Sequence, residues 1–199
     1  MKYAIIGSGK IGTTLARVFA RKNIEVAIAN SRGPETLAPL AKELGPSILP
    51  KSVVSASGAE IIFLAVPFSA HKEIAVQLPQ WHGKILVDAT NAFHVGAGEL
   101  GERLSSEIVA DSFTGARVVK AFNHLPAQQL GTNQEIEGQR QAVFVSSNDT
   151  DAGATVAAVA DELGFAPIQL ERLDQGGIPL HVVGGRPGGL LLQNLVKLG

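Results

Sequence analysis

The stretch Lys2-Tyr3-Ala4-Ile5-Ile6-Gly7-Ser8-Gly9-Lys10-Ile11-Gly12-Thr13-Thr14-Leu15-Ala16-Arg17-Val18-Phe19 decides the fold. Residues 2–6 are a short, largely apolar run, the mark of a buried strand. Ile11, Leu15, Val18 and Phe19 then recur at helical spacing and share one face. Between strand and helix, residues 7–12 fit G-x-G-x-x-G in the strand-to-helix context that lets this pattern signal dinucleotide binding. Gly7 permits the tight turn, Gly9 lets a pyrophosphate approach the backbone, and Gly12 lets the helix pack close to the sheet. Ser8, Lys10 and Ile11 complete the turn. The helix N-terminus offers free N–H groups and the positive end of its dipole to the phosphates. A turn that uses its glycines for backbone geometry alone is the competing reading.

Outward from that segment, short β-forming runs alternate with helical patterns. Strands are expected at 24–29, 47–50, 61–66, 84–88, 118–121, 142–145 and 167–170. Helical faces are marked by Leu37, Leu40, Ala41 and Leu44, by Leu100, Leu104 and Ile108, and by Val156, Val159, Ala160 and Leu163, with further helices at 53–57 and 69–78. Pro39 should kink or restart its helix. Residues 61–66 are apolar throughout, as a central strand covered on both faces must be. The alternation predicts an α/β fold, a doubly wound (Rossmann), mostly parallel sheet. The 199 residues read as one domain. Residues 174–199, a Gly-rich loop and a short apolar C-terminal helix at 190–198, are assigned to that same domain.

Hydrophobic residues at 45% and charged residues at 18% supply a packed core and too little charge for disorder. Seventeen Lys and Arg against 18 Asp and Glu leave a net charge of −1, so there is no broad positive field for a nucleic acid or an anionic membrane. The absence of cysteine removes disulfides, thiolate metal sites and cysteine nucleophiles, and no His and carboxylate spacing suggests zinc. The apolar run at 61–66 is too short to span a bilayer, and Met1-Lys2-Tyr3 leads into a strand rather than a signal peptide. A cytoplasmic location is expected.

At the end of the second strand, where an Asp or Glu would accept hydrogen bonds from the NAD ribose, stands Asn30. Ser31-Arg32-Gly33-Pro34 follows, with a hydroxyl and a guanidinium fork suited to a 2′-phosphate, which favours NADP. The same residue types also make a polar turn and a helix cap.

With the glycine turn and the 30–34 loop, Ala65-Val66-Pro67-Phe68 and Val119-Lys120-Ala121-Phe122-Asn123-His124-Leu125-Pro126-Ala127 complete a resemblance that runs nearly end to end. The chain resembles the NADPH-dependent reductases of the deazaflavin coenzyme factor 420. It is also similar to the cytosolic reductase domain of the six-transmembrane metalloreductases. The resemblance implies that Ser31 and Arg32 hold the 2′-phosphate, that Val66, Pro67 and Phe68 pass along the cofactor, and that Asn91, Ala92 and the Asn123–Ala127 loop, with Pro126 and Ala127, border the nicotinamide. It further implies a flavin or deazaflavin acceptor.

Hydride transfer needs donor and acceptor carbons held close and water excluded, so the lack of a catalytic triad is no objection. His124 is the candidate proton or hydrogen-bond donor, against the alternative of a loop histidine bonded to backbone. His94 admits the same two readings as an acceptor-binding residue. Arg186, set among Gly184, Gly185, Gly188 and Gly189, either closes over the acceptor or lies in a simple connector. Leu190, Leu191, Leu192, Leu195 and Leu198 suggest a helix that packs on the sheet or forms a homodimer. The reading is an NADPH-dependent oxidoreductase passing hydride to a flavin-like or deazaflavin acceptor. An imine or β-hydroxyacid reductase and a non-catalytic NADP-binding redox sensor are the alternatives.

Overall fold

The computed structural model describes residues 1–78, 80–96, 98–132, 135–136, 139–174, 182–183, 186–187 and 196–197, with side chains described outside 133–139 and 175–199. Six parallel strands form the body of the sheet: β1 (Tyr3–Ile6), β2 (Val26–Ala29), β3 (Ile48–Pro50), β4 (Ile61–Leu64), β5 (Ile85–Asp88) and β6 (Arg117–Ala121). They lie in the order β3-β2-β1-β4-β5-β6. Tyr3 is in register with Val26 on one side and Ile61 on the other, and Ile61 is followed by Ile85 and Arg117. This is the strand order of dinucleotide-binding domains, and the direction of winding reverses at β1, opening a crevice at the carboxyl ends of β1 and β4.

Helices cover both faces, as the sequence predicts. Those between the strands are α1 (Lys10–Arg21), α2 (Ala38–Leu44), α3 (Val53–Ala56), α4 (His71–Ala75) and α5 (Ser105–Ser112). Side chains of successive strand residues enter opposite layers. Ile5 joins Leu15, Phe19, Phe63 and Phe165 on one face of the sheet. Ala4 and Ile6 join Leu64, Trp81, Leu86 and Phe113 on the other. Every residue of β4 and β5 is buried, which explains the apolar character of 61–64. α1 buries Leu15, Ala16, Val18 and Phe19 and ends before Asn23, which takes a left-handed φ of 55°.

Beyond β6 come α6 (Ala127–Gly131), β7 (Glu135–Ile136), β8 (Gln139–Ser147), α7 (Thr150–Glu162) and β9 (Ala166–Gln169). β8 pairs antiparallel with β6 and parallel with β9. A two-residue hairpin pair, β10 (Val182–Val183) and β11 (Arg186–Pro187), and a last strand, β12 (Val196–Lys197), complete the chain.

Several boundaries differ from expectation for identifiable reasons. Pro39 restarts the chain as anticipated: residues 34–37 form a tight 3-10 turn, and α2 begins at Ala38. β4 ends at Leu64, because residues 65–67 leave the sheet to form a wall of the crevice. The helix expected over Leu100, Leu104 and Ile108 starts only at Ser105, where the Glu107 carboxylate accepts the Leu104 N–H at 2.8 Å. Within the tail, residues 196–197 are extended and pair with Gln141 and Arg140 of β8, so the expected helix at 190–198 does not include them. Residues 190–195 and 198–199, and the homodimer expected through this segment, lie outside the described residues.

Candidate functional site

The glycine turn sits at the crevice where the sheet reverses. Gly7 donates its N–H to the Ala29 carbonyl at 2.8 Å and has a φ of 113°. A Cβ there would stand 2.2 Å from the Ala65 oxygen, so strands β1 and β4 approach too closely for any side chain. At Gly12 a Cβ would stand 1.9 Å from the Gly7 oxygen, which is the close helix-to-turn packing that the motif anticipates. Gly9 is different: a Cβ would meet nothing within 4 Å, and the residue lines both chambers of the crevice. Its smallness therefore serves the space above it rather than the protein's own packing. α1 begins there with no side-chain cap and no acidic residue in its first turn, which leaves the N–H groups and the positive dipole end open to an anion.

Asn30 is nearly buried and organises the second-strand loop. Its Nδ2 donates to Ser8 Oγ and Thr36 Oγ1, both at 3.0 Å, and its Oδ1 accepts the Arg32 N–H at 2.9 Å. The asparagine thus ties the glycine turn, the loop and the following 3-10 turn together. Ser31 and Arg32 are exposed beside it, and the Arg32 guanidinium has no carboxylate partner among the described residues.

Two chambers share the wall made by Gly9, Ala65, Val66 and Pro67. The smaller, about 250 Å³, runs between Gly7, Ser8, Asn30, Ser31 and Arg32 on one side and Ala70, Glu73 and Ile74 on the other. The larger, about 440 Å³, is lined by Lys10, Ile11, Phe68, Ala89, Thr90, Asn91, Phe93, His94, Val95 and Glu99. One chamber is polar and cationic at its far end; the other presents aromatic and aliphatic walls with a few polar groups. A further cavity of about 340 Å³, between β8, β9 and the start of α7, contains none of these residues.

At the inner end of the larger chamber two loops interlock. Asn91 Nδ2 donates to the Asn123 carbonyl at 2.8 Å, and Asn123 Nδ2 donates to Asn91 Oδ1 at 2.9 Å. Between β6 and Asn123 lies Phe122, at a φ of 63° that disfavours a bulky side chain. Its ring is fully buried between Phe63 and Phe165, with centroids at 5.7 and 5.6 Å. That packing holds a backbone conformation that costs of order 1–3 kcal/mol.

Not every residue singled out from the sequence reaches the crevice. His124 lines neither chamber; its Nε2 lies 3.4 Å from the Ala142 carbonyl of β8, and its ring packs against Phe144. Burial pushes its pKa down to about 4, opposed by the bond to Ala142, so it is neutral at pH 7 and has no proton to give as an acid. The expectation of His124 as proton donor gives way to the alternative of a backbone-bonded loop histidine. Ala92 is fully buried in the core, and Pro126 and Ala127 open α6 instead of lining the chambers. His94 does line the larger chamber. The backbone of Arg186 pairs with Val183, and its side chain lies outside the described residues. Sequence reasoning passed over Thr90, Phe93, Ala70 and Ile74 as lining residues, and Thr36 as a partner of Asn30. It also passed over the buried pair Asp88 and Lys120 beneath Thr90. Among the described residues no cluster of His, Asp and Glu could hold a metal, and no helix is long and apolar enough to cross a membrane.

The sheet order, the glycine turn at its reversal point and the arginine-bearing loop beside it define a dinucleotide-binding domain. Residues 2–92 match the family model described as NADP oxidoreductase coenzyme F420-dependent. The metalloreductase STEAP3 of Rattus norvegicus is 32% identical over 187 residues, covering 92% of this chain. The chain spans 37% of the length of that relative. The crystal structure of hypothetical protein SMa0349 from Sinorhizobium meliloti is 40% identical and superposes with a TM-score of 0.90, covering 99% of this chain and 96% of that one. The crystal structure of a putative F420-dependent NADP-reductase from Arthrobacter sp. FB24 is 28% identical with a TM-score of 0.67, covering 87% of this chain and 86% of that one. The chain is thus similar to this family of NADP-dependent oxidoreductases over residues 2–92, and to SMa0349 over nearly its whole length.

Proposed function

We propose that the chain binds NADPH along the two joined chambers and passes hydride to a flavin-like or deazaflavin acceptor in the larger one. The observation that carries this reading is the shared wall at Gly9, which joins a chamber ending in Arg32 to one walled by Phe68 and Phe93. The open space above Gly9 and the uncapped start of α1 fit a pyrophosphate. Ser31 and Arg32 would hold the 2′-phosphate, and Ala70 and Ile74 give the smaller chamber an apolar side for the adenine. Ala65, Val66 and Pro67 would carry the cofactor between chambers, and Thr90 and Asn91 would border its nicotinamide. The reduced nicotinamide, when bound, supplies the hydride.

The protein's own work is then positioning and the exclusion of water. The wall of Ile11, Phe68, Phe93 and Val95 is suited to a flat, aromatic acceptor, with His94 and Glu99 as polar groups at its edge. The similarity to the putative F420-dependent NADP-reductase and to the metalloreductase supports an acceptor of this class. The test is turnover: purified protein and NADPH are mixed with a panel of flavins and deazaflavins, and bleaching of the acceptor is followed. Oxidation of NADPH with at least one member supports the reading. Tight NADPH binding with no turnover on any member favours a redox sensor instead.

A further inference from the structure

A buried ion pair lies beneath the Thr90 wall of the larger chamber. Asp88 ends β5 and Lys120 stands one residue before the end of β6; they are register partners and point to the same face of the sheet as Leu86 and Val118. Lys120 Nζ lies 2.9 Å from Asp88 Oδ2, with the two side chains 2% and 0% exposed. The same ammonium donates to the Thr90 carbonyl at 2.6 Å. Asp88 Oδ1 accepts the Thr90 N–H at 2.9 Å and the Thr90 hydroxyl at 2.7 Å. All three polar groups of Thr90 are therefore gripped by one ion pair.

Burying two charges is costly, and an apolar pair of similar volume commonly supports a fold as well or better. The mutual attraction of the two charges is thus a poor reason for this pair to sit here. Its geometry has a different consequence. Thr90 lines the larger chamber, and Asn91, next in the chain, interlocks with Asn123. With its N–H, hydroxyl and carbonyl all held, Thr90 cannot turn its peptide plane, and the position of Asn91 is set. We infer that the Asp88–Lys120 pair is a positioning device that fixes the Thr90–Asn91 wall against the nicotinamide half of the cofactor. This rests on the reading of the larger chamber as the nicotinamide end. Asp88 and Lys120 line neither chamber; they act through Thr90.

The test separates the two halves of the cofactor. NADPH is compared with adenosine 2′,5′-bisphosphate, which carries the adenine and the 2′-phosphate but no nicotinamide. In Asp88→Leu/Lys120→Met, which removes both charges together, the thermal midpoint should fall, because the buried N–H, hydroxyl and carbonyl of Thr90 lose their partners, and the two ligands are compared on the folded protein. The bisphosphate should bind within twofold of the wild type, while NADPH should weaken about tenfold and lose the fluorescence gain of a shielded nicotinamide. Thr90→Val keeps the ion pair and removes one of the three grips, so the same selective loss is expected there at about threefold. It decides the matter if the double variant does not fold. Equal weakening of both ligands would show a general structural role and overturn the inference, as would unchanged NADPH binding. A wild-type protein that binds neither ligand would instead bring down the NADP reading of the groove itself.

Discussion

Asn91 and Asn123 exchange two hydrogen bonds across the inner end of the larger chamber, at 2.8 and 2.9 Å, and so join the loop after β5 to the loop after β6. Each such bond contributes roughly 0.5–1.5 kcal/mol net, and a partner left unsatisfied costs more. Asn91→Ala should therefore destabilise the fold by about 1–3 kcal/mol, read by urea unfolding. Asn91→Asp should be no better. Its carboxylate would face the Asn123 carbonyl where an amide now donates, so two acceptors would oppose each other. An aspartate variant as stable as the wild type at pH 7 would show that this exchange does not hold the two loops.

Three glycines of one turn should respond differently to a side chain. Gly9 has ordinary backbone angles, a φ of −74°, and open space above it. Gly9→Val should keep a thermal midpoint within a few degrees of the wild type and abolish NADPH binding in a titration. Gly7→Ala and Gly12→Ala each place a Cβ against backbone oxygen, at 2.2 and 1.9 Å, so both should lose more than about 2 kcal/mol of stability. Normal NADPH affinity in Gly9→Val would remove the pyrophosphate from this turn.

What the sequence showed in advance follows from how local each signal is. Residues 7–12 and 30–34 were readable because a glycine turn and a polar loop are contiguous, and each residue type has its own backbone or charge preference. The Asp88–Lys120 pair was not readable, because the two residues lie 32 positions apart and meet only through the register of β5 on β6. α6 is five residues long, too short to show a helical period, so Pro126 and Ala127 read as loop. Phe122 gave no warning of its left-handed backbone, since a tertiary aromatic contact rather than glycine holds it there. In the sequence His124 falls within the 119–127 motif beside the cofactor; β8, lying antiparallel beside β6, supplies the carbonyl toward which its ring turns.

The burial of His124 makes a prediction about acid. Its pKa is lowered by desolvation from 6.5 to about 4, so the unfolded chain takes up its proton first as pH falls. The stability contributed by the neutral ring is present above pH 6.5 and is lost as pH drops toward 4. Between pH 7 and pH 5 the wild type should lose about 2 kcal/mol through this group, a loss that His124→Gln should lack. Parallel urea titrations at the two pH values measure it. Identical pH dependence in the two proteins would mean that the ring is solvated. The variant should also keep its rate of NADPH oxidation at pH 7, because a neutral imidazole facing Ala142 donates no proton to an acceptor in the larger chamber.

Cofactor choice should lie in Arg32, and Asn30 explains why the loop can present it. Because Asn30 Oδ1 holds the Arg32 N–H while its Nδ2 holds Ser8 and Thr36, the backbone of the loop is set before any ligand arrives. The guanidinium beyond it is exposed and has no carboxylate partner among the described residues. A fork of this kind grips a phosphate dianion at two points, and NADH offers none. A hydrogen bond to a charged group is worth roughly 1.5–3 kcal/mol, so Arg32→Ala should weaken NADPH about ten- to 150-fold and leave NADH almost unchanged. Ser31→Ala should act in the same direction with a smaller size, since it removes one neutral donor. Asn30→Asp should not create an NADH-preferring protein, even though it places a carboxylate at the end of β2. Ser8 and Thr36 can turn their hydroxyls to donate to the new carboxylate, as Thr36 already does to Asn30 Oδ1 at 3.3 Å, so the loop keeps its brace and Arg32 stays beside it to hold the 2′-phosphate. Titration of each variant with both cofactors checks all three expectations. Equal weakening of NADPH and NADH in Arg32→Ala would mean that the arginine supports the loop instead of reading the phosphate.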